Sequence, residues 1–388
     1  MRKFPFLVMA LAVVLTACES NDRGVTSDKE AALQKVAAPY VNNTVVATYK
    51  AMADAGIVLM EQTAAILDKV EADEDYASLM VEADASWRQM RKYWEQSEAF
   101  LYGPAGSHNI DPHIDSWPLD FNAMNALLHD SVRMAMIEEE GGAYVGDKLG
   151  YALKGFHACE YLLFESVLQD GRAIGTGRPH AANLTHAEAV YLNAIVEDLT
   201  QQAILLEYAW AGEISDLKMA LLEEAEIEPY EDHYGWQMIN AGKAGSIYVT
   251  YQEVAEEIVA GAVDIAGEVA DLKLGNPYIS STAGERDYIE SPYSCTSTTD
   301  FADNIRSIQH AYCGAIAGDA SVSDYVKKQD AALDAEVRTA IEEAIAAIEA
   351  IVDFENTAKG NPQVKAAIDK VAALEEILND EVSPLLSK

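Results

Sequence analysis

The chain has 388 residues, with 64 acidic against 27 basic side chains and a formal net charge of −37. That balance excludes a nucleic-acid binder, because polyanions are held by Lys and Arg, and it favours cations or basic ligands. Half of the residues are apolar, enough for an ordinary core and too many for wholesale disorder.

At the N-terminus, Arg2 and Lys3 precede an apolar run from Phe6 to Leu15, too short to span a bilayer as a lasting helix. The run ends in Leu15-Thr16-Ala17-Cys18, which resembles a bacterial lipobox. This predicts a signal peptide over 1–17, lipid on Cys18, and a small, polar, flexible tether over 18–28. The alternative is an ordinary secretory signal cut after Ala17. No later segment is long and apolar enough to cross a membrane. The expectation is therefore a body in water, lipid-anchored to the cell envelope outside the cytoplasm. Whether it faces the periplasm or the surface is left open. Export permits disulfides. Cys295 and Cys313 could pair and leave Cys159 as a buried thiol, although connectivity is not readable from spacing.

Abundant Ala, Glu, Leu and Ile predict a mostly helical chain, and most segments carry helical periodicity. Residues 29–72 read as one long helical stretch, with Pro39 tolerated or marking a kink, and 77–97 as a second. From Ser97 to Asp120 comes a long loop rich in Pro and aromatic residues, of the kind that carries function inside compact domains. Helices follow to about Glu140 and from Tyr144 to Leu168. Gly171 to Pro179 is a Gly/Arg-rich break. Thr185 and Glu188 form a capping box that opens a helix to Trp210. A helix over about 236–273, a second long loop over 275–299, and helices near 300–317, 323–353 and 363–381 complete the chain. Leu333, Val337, Ile341, Ile345, Ile348 and Val352 share one stripe. The layout predicts an all-α fold of two helical bundles, 29–180 and 181–388, related by a loose duplication.

His157 and Glu160 lie at i and i+3 on one helix and so share a face. An imidazole and a carboxylate one turn apart can grip one metal ion, and Gly155 just before them lets another backbone or a ligand come close. The plain alternative is a satisfied His–Glu hydrogen bond in the core. HExxH is absent, and HxxEH would need His where Tyr161 stands, so a zinc peptidase would lack ligands. His108 and His113 lie in the first long loop as weaker candidates.

Gly155-Phe156-His157-Ala158-Cys159-Glu160 resembles the GxHxxE signature of the imelysin-like proteins. Trp94, Ser97, Glu98, Phe100, Gly103 and Pro104, then Ile114-Asp115-Ser116-Trp117-Pro118, are similar to that family's acidic-aromatic loop. Glu290-Ser291-Pro292-Tyr293-Ser294, Asp300 to Ile305 and Tyr312-Cys313-Gly314 are similar to its second-half motif. The resemblance covers about 35–385. It implies two helical bundles with the signature at a cleft between them, and a cell-envelope location linked to iron acquisition. The family is also filed with metallopeptidases. On this reading His157, Glu160, Glu98 and Asp115 are metal ligands, while Gly155, Trp117, Glu290, Ser291 and Tyr293 line the cleft. A carboxylate-rich site with one imidazole suits iron, with zinc as the alternative. The expected function is binding of iron, haem or a metal-bearing ligand, with iron- or haem-uptake components as partners. Two rivals stand beside it: a metal-dependent peptidase with Glu160 as its catalytic residue, and a non-catalytic peptide- or glycan-binding module.

Overall fold

The computed structural model describes residues 28–169, 172–280 and 288–388. The expected signal peptide, Cys18 and most of the tether lie outside the described residues. Among the described residues the fold is all-α apart from one short hairpin.

The first long stretch divides at its proline. Helix α1 (Asp28–Pro39) passes through a π-helical stretch, Tyr40–Val46, into α2 (Ala47–Glu71). Pro39 has no N–H to give to the i−4 carbonyl, and the wider turn absorbs that loss. Helix α3 (Ala77–Glu95) packs antiparallel-fashion beside α2 in the chain's first bundle, burying Trp87, Met90 and Trp94. The first long loop is ordered into short helical turns at Glu98–Phe100, Pro104–Ser107 and Ile110–Ile114.

Two corrections follow. Helix α4 (Gly155–Leu163) ends earlier than the apolar run suggested, and the chain continues as an antiparallel hairpin, β1 (Phe164–Gln169) with β2 (Arg172–Pro179). The Gly-rich break is thus a strand. Its Gly175 lies so close to the second long loop that a Cβ would come 2.2 Å from the Tyr293 Cα. The other correction concerns the bundle boundary at 180/181. Helix α5 (His186–Ala211), opened by the expected Thr185/Glu188 capping box, packs on α2 and completes the first bundle.

The second bundle is made of α6 (Tyr251–Glu268), α7 (Ser297–Cys313), α8 (Ala331–Glu349) and α9 (Pro362–Ile377). Helix α1 lies against α6, so the first described segment belongs spatially to the second bundle. On α8 the stripe holds for Leu333, Val337, Ile341 and Ile348, all buried; Val352 lies past the helix end and is exposed. One contiguous apolar core runs through both bundles. Among the described residues no helix is long and apolar enough to cross a membrane.

The cysteine pairing is also corrected: Cys159, Cys295 and Cys313 are all free thiols. Cys295 precedes α7 and Cys313 ends it. At 1.5 Å per residue the helix holds them roughly 25 Å apart, far beyond the ~6 Å between Cα atoms that a disulfide needs.

Candidate metal centre

Where the bundles meet, a group of charges is shut away from water. Helix α3 projects Arg91 and Glu95 one turn apart. Glu98 follows in the next helical turn, and Asp115 ends the Ile110–Ile114 turn. Helix α4 gives His157 and Glu160. Lys273 sits in a π-helical stretch after α6, Val269–Leu274, and Glu290 and Asp300 come from the second loop and the first turn of α7. None of these side-chain-bearing residues is more than 9 % exposed.

Arg91 is the hub. Its guanidinium pairs with Asp115, with Glu95 Oε1 at 2.6 Å and with Glu290 Oε1 at 2.7 Å, and its Nε lies 3.7 Å from Asp300. It also lies over the Phe156 ring at 5.1 Å. Lys273 reaches Glu290 Oε1 at 2.9 Å, Glu98 at 3.7 Å and Glu95 at 4.0 Å. The Trp94 indole donates to Asp115 Oδ2 at 2.7 Å.

His157 and Glu160 play different parts. Glu160 Oε1 accepts from the Tyr293 N–H (2.9 Å), the Ser294 N–H (2.7 Å) and the Ser294 hydroxyl (2.7 Å), fastening the second loop to α4. Glu160 Oε2 faces His157 Nδ1 at 3.2 Å. His157 Nε2 lies 3.1 Å from Asp115 Oδ1 but outside hydrogen-bonding geometry. A carboxylate on one ring nitrogen fixes the tautomer and leaves the other nitrogen free to ligate.

Gly155 does what its placement before the pair predicted. At φ +74° it lets the backbone of Ile114 pass so closely that a Cβ would come 2.1 Å from the Ile114 carbonyl oxygen. That contact seats Asp115, the next residue, beside His157.

Six buried carboxylates face three cationic side chains, so full ionisation leaves an excess of negative charge. Burial pushes Glu95 and Glu98 well above the carboxylate range and lifts Asp300 to about 7, against the pull of Arg91 and Lys273. Asp115 is lowered: burial opposes its charge, but Arg91 and His157 outweigh it. Buried polar atoms outside hydrogen-bonding geometry also gather here: Arg91 Nε, Glu95 Oε1 and His157 Nε2, which keep ion-pair contacts to Asp300, Arg91 and Asp115, and then Glu290 Oε2 and Asn304 Oδ1. Orphaned buried polar atoms are uncommon and costly. Glu95, Asp115 and Glu290 offer ligand oxygens that all lie within 4.8 Å of one another. The donor set therefore fits a cation: hard oxygen ligands, one imidazole and an unmet need for positive charge.

Burial alone would lower the His157 pKa, but Asp115 and Glu160 outweigh it and raise it to about 9. A folded pKa above the unfolded 6.5 stabilises the fold fully below 6.5, and the benefit is lost as pH rises through 9. For metal-free protein this amounts to about 3 kcal/mol of stability lost across that window. Urea unfolding at pH 6 and pH 9.5 should show the loss, and His157→Gln should flatten it. An equal slope in the variant would refute the assignment.

The remaining expected residues fall around this centre. Glu98 and Glu290 are inside it. The Ser291 hydroxyl donates to Asp300 at 2.5 Å. Tyr293 packs edge-on to Tyr161, and Trp117 edge-on to Tyr288. His108 and His113 lie apart from it. His108 stacks on Tyr230 and reaches Asp232 at 2.7 Å, and His113 reaches Asp198 at 2.9 Å. Among the described residues the expected cleft is occupied by packed charged side chains, none of them more than 9 % exposed. Arg91, Glu95, Lys273 and Asp300 were missed as site residues. Arg91 and Glu95, one turn apart just before Ser97-Glu98, were the available signal.

The molecule is thus an all-α protein of two bundles closed over a buried, carboxylate-rich centre. The imelysin family model (Peptidase_M75) matches residues 45–380, and the chain belongs to that family. It is 27 % identical over 356 residues to the iron-regulated protein A of Synechococcus elongatus, covering 89 % of this chain and 85 % of that protein. Its fold is similar to the crystal structure of an iron-regulated protein A precursor from Parabacteroides distasonis. That match has a TM-score of 0.73 at 24 % identity and covers 92 % of this chain and 96 % of the other. An imelysin-like protein from Psychrobacter arcticum matches at TM-score 0.61 and 11 % identity, covering 92 % and 95 %.

Proposed function

We propose that this chain is an iron-binding protein of the cell envelope, tethered by lipid on Cys18, that takes an iron ion into the Arg91–Lys273 centre as a step in iron acquisition. Glu95, Asp115 and Glu290 supply oxygen ligands and His157 Nε2 the imidazole. Glu160 orients His157 and holds the second loop, and Glu98 adds a further carboxyl group beside Lys273. The observation that carries the reading is the convergence of those three carboxylates beside His157, with Glu290 Oε2 left without a hydrogen bond. The resemblance to a protein named iron-regulated supports iron over zinc. An incoming ion would displace the protons that Glu95 and His157 retain, since ligands must be deprotonated to bind.

The peptidase reading has less support. A catalytic metal needs an open position that substrate can reach, and His157 and Glu160 are 2 % and 0 % exposed.

Calorimetric titration with Fe(II), Fe(III) and Zn(II) tests the reading. One saturable iron site is expected in the wild type, weakened about 10-fold or more by Glu95→Gln and by His157→Ala. Absence of iron binding, or variants that bind as well as the wild type, would remove it.

A further inference from the structure

The body's first described residues are fastened beside a distinctive loop. The Glu30 carboxylate accepts from the backbone N–H groups of Tyr251 (2.8 Å) and Gln252 (3.1 Å), and Lys29 Nζ donates to Gln252 Oε1 at 2.6 Å. Just before Tyr251 the chain runs through a short helix, Tyr234–Ile239, and a loop over 240–250. This segment holds Trp236, Ile247 and Val249 out to solvent, 46 %, 63 % and 70 % exposed. From Tyr234 to Gln252 there is no Asp or Glu and one cation, Lys243, in a chain that carries 64 acids.

The loop is braced, not slack. Gly242 N–H donates to the Tyr248 carbonyl at 2.9 Å, and Ser246 N–H to the Lys243 carbonyl at 3.1 Å. The Ser246 hydroxyl donates to the Gln237 carbonyl at 2.6 Å, and the Tyr234 and Tyr248 hydroxyls bond beneath it at 2.7 Å. Apolar tips held this way lose little freedom when they dock.

We propose that this segment is a membrane-contact element: Trp236, Ile247 and Val249 enter the interfacial layer of the bilayer that carries the Cys18 lipid. The inference rests on the reading of Cys18 as a lipid anchor. Ten residues, 18–27, separate that anchor from Asp28. Even fully extended they span about 35 Å, so the end of the body bearing this loop stays near the lipid surface. Trp is favoured at such interfaces, where its apolar ring and N–H are both satisfied. The body as a whole is repelled by anionic headgroups; this segment adds no acid of its own, and the two carboxylates at its end, Glu253 and Glu30, are each engaged by backbone N–H groups, Glu253 by Val249 at 2.6 Å.

The test uses the lipidated full chain in phosphatidylethanolamine/phosphatidylglycerol vesicles containing acyl-brominated lipid, with the intact mass reporting the lipid on Cys18. Trp87, Trp94 and Trp210 are buried, so Trp236 is well placed to report. Bromolipid quenching of tryptophan fluorescence is expected. It should be lost in Trp236→Phe, retained in Trp117→Phe, and lost in Ile247→Asp/Val249→Asp, which stays vesicle-bound through its lipid. No quenching, or quenching undiminished in the double variant, overturns the proposal. If the mass shows an unmodified Cys18, the anchor reading fails by itself. The loop proposal then stands if vesicles bearing bromolipid still quench Trp236 in the unlipidated chain, and falls if they do not. Shielding of Trp236 from acrylamide in cell envelopes without bromolipid quenching would assign the loop to a protein partner and also overturn it.

Discussion

Replacing Arg91 with Met is expected to destabilise the metal-free protein by about 3–5 kcal/mol, the usual cost of removing one partner from a buried ionic group. The guanidinium touches Asp115, Glu95 and Glu290 and approaches Asp300. Without it, four carboxylates keep only Lys273 and His157 as counter-cations. Met fills much of the volume above Phe156, so lost charge rather than lost packing dominates. Urea unfolding monitored by circular dichroism measures the effect. If the centre accepts iron, saturating iron should recover much of the lost stability, because an ion bound to the native state alone stabilises it by mass action. An Arg91→Met protein as stable as the wild type would show that the network is dispensable. A destabilised one unmoved by iron would count against an ion-binding centre.

Gly155→Ala should be at least as severe, roughly 3 kcal/mol or more. The residue sits at φ +74°, a conformation that disfavours a Cβ, and the added methyl would overlap the Ile114 carbonyl at 2.1 Å. Strain and overpacking each contribute on the order of 1–3 kcal/mol. Relief requires α4 and the Ile110–Ile114 turn to separate, which draws His157 away from Asp115. Iron affinity in the calorimeter should therefore fall along with stability, even though Gly155 touches no ion. A variant that keeps both would mean that the close approach of the two backbones is inessential.

Much of this centre was legible in the chain, and the reasons are local. A glycine before His-x-x-Glu in an apolar helix signals a close approach and one polar face, and both occur. The carboxylates at 98, 115 and 290 were legible through the resemblance of the loops that bear them. Arg91, Lys273 and Asp300 were not, because a cation in a helical pattern looks the same whether it faces solvent or closes a buried acidic group. The split of labour between His157 and Glu160 was hidden for a similar reason: spacing puts them on one face, but the Tyr293 and Ser294 amides that claim Glu160 come from more than a hundred residues away. The hairpin escaped because Phe164 to Leu168 prolongs an apolar helical run, and only contact with the second loop makes strands the better choice. The bundle boundary was misplaced because the break at 171–179 looks like a linker, while the preference of α5 for α2 is a matter of surface fit.

The crossed placement of α1 and α5 has a practical consequence. A gene cut between the codons for 180 and 181 would yield two fragments, neither with a complete interior. The leading piece would carry a helix suited to its partner, and the trailing piece the long helix that fills the other's groove. Co-expressed, the halves should recognise each other and reassemble into one particle, as complementing fragments do. Expressed singly, each should be found in the insoluble fraction.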